Sequence, residues 1–134
     1  MSDQSSCVEV EAELDIVAAR QSGRTMAKEM GFGEVDQARI ATAISELARN
    51  IYLYAKKGVI IISIIQEGGR IGLRIQASDN GPGISDLQQV LQDGFTTSGG
   101  LGAGLPGVKR LMDTFEITSE VGNGTEIISI KWLR

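Results

Sequence analysis

The hydrophobic pattern of the chain changes period several times, and each change marks an element. Cys7 to Glu13 alternates apolar and acidic residues with period two, the signature of a half-exposed strand. Asp15 then offers an N-cap for a helix carrying Ile16, Ala19, Met26 and Met30 and ended by Gly31. A second helix begins near Asp36 and places Ile40, Ile44, Leu47 and Ile51 at spacings of four, three and four, a stripe that faces a core. After Lys56-Lys57-Gly58 the period returns to two. Val59–Gln66 and Ile71–Asp79 read as strands joined across Glu67-Gly68-Gly69-Arg70. A short helix is expected over Asp86–Asp93, then a glycine-rich run from Gly94 to Gly104, then a helix over Leu105–Asp113 with Pro106 in its first turn. Phe115–Val121 and Thr125–Trp132 close the chain as a hairpin whose turn is Gly122-Asn123-Gly124. The order predicts an α+β fold: a two-layer α/β sandwich in which one mixed sheet is covered on one face by helices.

Composition narrows the chemistry. The 134 residues fit one domain, 1–134, and contain neither a repeat nor a linker. Seventeen glycines are roughly twice the usual ~7%, yet there are only two prolines, so the glycines serve local backbone geometry rather than disorder. The net charge of −4 argues against nucleic acid and membrane surfaces as partners. With no histidine, His-ligated metals and Ser-His-Asp or Cys-His catalysis are excluded. A single cysteine fits a reducing compartment, the first residues lack the pattern of a signal peptide, and no apolar run approaches membrane-spanning length, so a cytoplasmic location is expected.

Four short constellations could carry chemistry. Glu46 and Asn50 lie four apart on one face of the second helix, beside the apolar stripe. Both are oxygen donors of the kind Mg²⁺ accepts, and a carboxylate there could deprotonate a hydroxyl; a solvated helix edge would look the same. Asp79-Asn-Gly-Pro-Gly83 follows a strand and ends the row Ile71, Leu73, Ile75, Ala77. An ionised aspartate accepts hydrogen bonds only, which suits the amino group of adenine and not the oxygen of guanine. Gly81 and Gly83 would let the backbone approach a flat ring, though a capped turn gives the same string. Gly99 to Gly107 combines many glycines with a helix start, a cradle for phosphate or else an unliganded loop. It matches neither a Walker A motif, for lack of Lys-Ser/Thr after the glycine, nor a dinucleotide fingerprint, for lack of a preceding strand. Gly122-Asn-Gly-Thr125 taken alone is a hairpin turn.

In order along the chain, Glu46-x-x-x-Asn50, Asp79-x-Gly81-x-Gly83, Gly100-x-Gly102-x-Gly104 and Gly122-x-Gly124-Thr125 resemble the motifs of the Bergerat-fold (GHKL) ATP-binding superfamily. The length leaves no room for the transducer domains of gyrase-like or chaperone ATPases, and a histidine kinase needs a histidine. Asp36-Gln-Ala-Arg-Ile, Glu46 to Ala55 and Gly102 to Asp113 look like the stressosome switch kinases of the anti-sigma-factor kinase family. That resemblance implies a serine/threonine kinase with Glu46 as general base, Asn50 holding Mg²⁺ and Asp79 on the adenine amino group. It further implies Gly81 and Gly83 in the base pocket, Gly100, Gly102 and Gly104 as a lid over the ATP phosphates, and Thr125 supporting Asp79. Arg49, one turn from Glu46, is a local candidate for keeping that carboxylate ionised. The implied partners are STAS-domain scaffold or antagonist proteins of the stressosome as substrates and a PP2C-type phosphatase as the target of the released kinase. Two other readings share the nucleotide motifs: an anti-sigma factor that sequesters a sigma subunit, and a non-catalytic ATP-dependent binding module.

Overall fold

Alternation along the strands decides which side of the sheet is buried. In the computed structural model, which describes residues 5–84 and 104–134, five strands lie in the order β1-β2-β3-β5-β4. They are β1 (Ser5–Val10), β2 (Gly58–Glu67), β3 (Arg70–Asp79), β4 (Thr114–Glu120) and β5 (Gly124–Trp132). One side carries Val10, Ile60, Ile62, Leu73, Ile75, Ala77 and Ile127, all buried. Helices α1 (Glu13–Met30), α2 (Glu34–Asn50) and α3 (Gly104–Leu111) cover that side. The stripe Ile40, Ile44, Leu47 and Ile51 is buried against it, each residue at most 1% exposed. Burying four such side chains stabilises the fold by roughly 1.5–3 kcal/mol each. The expected helix over Asp86–Asp93 and the glycine-rich run up to Ala103 lie outside the described residues.

The sheet differs from the expected mixed one: all four pairings are antiparallel. The reason is the helix pair. Between β1 and β2 the chain makes two helices joined by the three residues Gly31–Gly33, and so short a link makes them antiparallel neighbours. A single crossover helix would have made β1 and β2 parallel; the second helix adds one more reversal, so β2 runs back against β1.

Helix ends also shift by a residue or two. α1 begins at Glu13 with Ala12 as its cap residue, and Asp15 acts from inside the first turn, accepting the Glu11 and Ala12 N–H groups at 2.9 Å each. Gly31 closes the helix in the left-handed region, φ 101°, as expected. α2 does not simply stop at Asn50. It widens into a π-helical turn, Ile51–Ala55, in which the Lys56 N–H reaches the Ile51 carbonyl at 2.9 Å.

Candidate functional site

The end of α2 carries the first constellation. Glu46, Arg49 and Asn50 stand three and four residues apart and so share one face of the helix. Glu46 is buried, 4% exposed, and its Oε1 accepts the Gly104 N–H at 3.2 Å. That N–H belongs to the first turn of α3, the positive end of the helix, so a carboxylate there is electrostatically at home. Arg49 is half-buried, and its Nη1 is out of water with no hydrogen-bond partner among the described residues.

The second and fourth constellations meet through the sheet. Asp79 ends β3, opposite Gly58 of β2 and Thr125 of β5. Its Oδ1 accepts the Gly81 N–H at 2.8 Å, which folds the chain back immediately after the strand. Thr125 is buried and its hydroxyl lies 2.8 Å from that of Ser119. Ser119 Oγ also accepts the Ile84 N–H at 2.8 Å and donates to the Gly124 carbonyl at 3.1 Å. One serine hydroxyl, saturated in this way, ties the segment after β3 to the β4–β5 hairpin. The Gly122 N–H adds a bond to the Pro82 carbonyl at 2.8 Å.

The glycines of this region answer to protein neighbours. A β-carbon at Gly81 would sit 2.6 Å from Ala55 Cβ, in the π-turn that follows Asn50. Gly83, at φ +78°, would press a β-carbon onto the Glu120 carbonyl, and Gly124, at φ +101°, onto the Asp79 carbonyl. Close approach to the Ala55 residue, the Glu120 carbonyl and the Asp79 carbonyl favours glycine at these three positions whether or not a ligand ring lies nearby.

The described members of the four constellations thus form two linked groups: Thr125, Asp79, Gly81 and Gly83 with the π-turn, and Glu46 with Gly104. Gly100 and Gly102 lie outside the described residues. Ser119 was not anticipated. Its trace in the sequence is a polar residue on the inward row Phe115, Ile117, Ser119, directly across from Thr125. A cleft of about 430 Å³ opens at the same end of the sheet, lined by Glu9, Glu11, Lys57, Ser78 and Asp79 among others. It includes neither Glu46 nor Asn50, so it does not unite the constellations.

The donor set suits ATP with Mg²⁺. Asp79 is a carboxylate acceptor held at a strand end, and Asn50 is an amide oxygen one turn from Glu46. No group of three or more Asp, Glu or Cys gathers among the described residues. A dedicated all-protein metal cage is not needed, because Mg²⁺ is commonly held by one or two side chains together with phosphate oxygens and water.

The comparisons with known proteins bear on the family and the fold. Residues 35–134 match the family model described as histidine kinase-, DNA gyrase B-, and HSP90-like ATPase. The chain is 67% identical over 134 residues, all of both chains, to the serine/threonine-protein kinase RsbT of Bacillus subtilis. It is 35% identical over 101 residues to the anti-sigma F factor of Anoxybacillus flavithermus, covering 70% of this chain and 68% of that one. Among solved structures, the RsbU and RsbW domains of a Mycobacterium tuberculosis protein superpose with a TM-score of 0.68 at 17% identity, over 100% of this chain and 34% of that one. The catalytic domain of the histidine kinase ThkA superposes with a TM-score of 0.52 at 17% identity, over 98% of this chain and 95% of that one. With its sandwich of helices on one antiparallel sheet and its ordered motifs, the chain belongs to the histidine kinase-, DNA gyrase B- and HSP90-like (GHKL) ATPase family.

Proposed function

We propose that this chain is a cytoplasmic protein serine/threonine kinase, a partner-switching member of the GHKL family. It transfers the γ-phosphoryl group of ATP to STAS-domain stressosome proteins. When released from them, it binds and activates a PP2C-type phosphatase in a sigma-factor stress response. The observation that carries the reading is the buried Glu46 carboxylate at the start of α3, on the helix face it shares with Asn50, in a chain 67% identical end to end to RsbT of Bacillus subtilis. No helix among the described residues is long and apolar enough to cross a membrane.

In this mechanism the residues divide the work by chemistry. Asp79 accepts the adenine amino group; guanine would oppose an acceptor with an acceptor. Thr125, its neighbour across the β3–β5 pairing, supports that carboxylate from the adjacent strand. Gly81 and Gly83 shape the base pocket by docking their loop on the π-turn and the hairpin. Gly100, Gly102 and Gly104 would close as a lid over the phosphates, the Gly104 N–H giving up its bond to Glu46 to do so. Asn50 would hold Mg²⁺, which neutralises phosphate charge when bound. Glu46 takes the proton of the acceptor serine or threonine hydroxyl as the oxygen attacks, a role that needs neither histidine nor a covalent intermediate.

The test follows label from γ-labelled ATP with Mg²⁺ into a stressosome-enriched extract, with wild-type protein and Glu46→Gln side by side. Labelled phosphoserine or phosphothreonine on a second protein, reduced by roughly 10²–10⁴-fold in the variant, is the expected outcome. Equal transfer by both proteins removes Glu46 as the base. The anti-sigma F factor relatives favour a second reading, sequestration of a sigma subunit. ATP binding with no transferred label, together with capture of a sigma subunit, would establish it.

A further inference from the structure

Arg49 has no role in the mechanism above, yet its surroundings are unusual. It lies in the last turn of α2, where a cation is favoured by the helix dipole. An arginine there ordinarily donates to the terminal carbonyls or extends its guanidinium into water. Arg49 Nη1 does neither: it is buried and donates to no acceptor among the described residues. A guanidinium is always charged, and a buried N–H of a charged group without an acceptor is costly to the fold.

The helix face fixes what can reach this donor. Glu46 and Asn50 stand three residues before and one after Arg49, at the same end of the helix. A hydroxyl that loses its proton to Glu46 must attack the terminal phosphorus of the nucleotide, so the terminal phosphoryl lies on the Glu46 side of the phosphate chain. The geometry points to Arg49 as the residue that binds that terminal phosphoryl group. Its planar fork matches two phosphate oxygens, and the bond it makes there is charge-assisted and shielded from water. Arg49 thereby distinguishes a nucleoside triphosphate from the diphosphate left after transfer. This assignment rests on the kinase reading of the Glu46–Asn50 face.

Equilibrium titration of wild type, Arg49→Met and Arg49→Lys with Mg²⁺ and either ADP or the β,γ-imido analogue of ATP tests it. Melting temperatures without nucleotide are recorded in parallel. Arg49→Met is expected to bind the triphosphate analogue about tenfold or more weaker while ADP affinity stays within about twofold. Its nucleotide-free melting temperature should be unchanged or raised, because an unpaired buried donor is gone. Arg49→Lys, a point charge without the fork, should recover part of the triphosphate affinity. Equal losses for ADP and the analogue, or no loss with a lowered melting temperature, would overturn the assignment and make Arg49 a packing residue. Unchanged binding of both nucleotides with a raised KM for the acceptor protein would also overturn it. Failure of wild type to bind either nucleotide would instead sink the kinase reading itself.

Discussion

Glu46 illustrates how one carboxylate can hold structure and chemistry together. Its Oε1 caps the first turn of α3 through the Gly104 N–H, so the proposed general base and the start of that helix are joined by one bond. Asp79 is placed in a similar way: Oδ1 turns the chain through the Gly81 N–H, leaving the other oxygen for the proposed recognition of adenine. Asp79→Asn keeps an oxygen for that turn but loses the charge and gains a donor. Its ATP affinity should fall about tenfold, with preference for adenine over guanine relaxed, while the melting temperature moves little. Competition binding with ATP and GTP decides it, and unchanged affinity would take Asp79 out of adenine recognition. At this scale the sequence offered the residue types and their spacing. It did not offer Ser119, whose importance comes from three partners supplied by Ile84, Gly124 and Thr125.

Among the elements, glycines with equal conformational freedom are unequal in cost. Gly31 and Gly83 both adopt positive φ, but a β-carbon at Gly31 meets open space and one at Gly83 meets the Glu120 backbone. Gly31→Ala is therefore expected to cost about 1–2 kcal/mol from backbone strain alone. Gly83→Ala adds a contact with rigid backbone and should cost about 2–4 kcal/mol. Urea unfolding of the two variants compares them; equal losses would mean that the loop after β3 is free to move away from the hairpin. Periodicity made the strands, the stripe of α2 and the hairpin turn legible, because each is a local pattern with a fixed repeat. The π-turn after Asn50 was not legible. It adds one residue to a helical turn and is accompanied by close packing of Ala55 on Gly81, a contact between segments far apart in the chain.

On the scale of the whole molecule, the chain end is pinned beneath α3. Asp113 accepts the Trp132 N–H at 2.7 Å and faces Arg134 at 3.2 Å and Lys131 at 3.7 Å. Lys131, itself buried, donates to the Leu111 carbonyl at 3.0 Å and reaches Asp36 of α2 at 3.9 Å. Burial pushes the Asp113 carboxyl up, but the Trp132 N–H, Arg134 and Lys131 together outweigh it and hold it below its usual value of 3.8. A carboxyl depressed in the folded state contributes stability that is present above its unfolded value and lost as pH falls through its folded one. Asp113→Asn should thus lower stability at pH 7 by about 1–3 kcal/mol, with the gap to wild type narrowing below about pH 4. Urea midpoints at pH 7 and pH 3 measure it; a gap independent of pH would mean that the carboxylate charge is not what holds the chain end.

What the sequence determined by itself was local or additive: strands and helices from their periods, the α+β class from their order, and the motif residues from their types and spacing. The absence of histidine alone removed whole classes of catalysis. Tertiary structure decided everything that depends on two distant segments meeting. The antiparallel pairing of β1 with β2 followed from a helix pair, which adds one reversal to a single crossover helix. The glycines of the Asp79 loop were fixed by the backbone of the hairpin and the side chain of Ala55, and the buried Arg49 donor became visible only once α2 was packed. A residue's neighbours along the chain set its conformational preferences, but burial and the pairing of donors with acceptors are properties of the packed molecule.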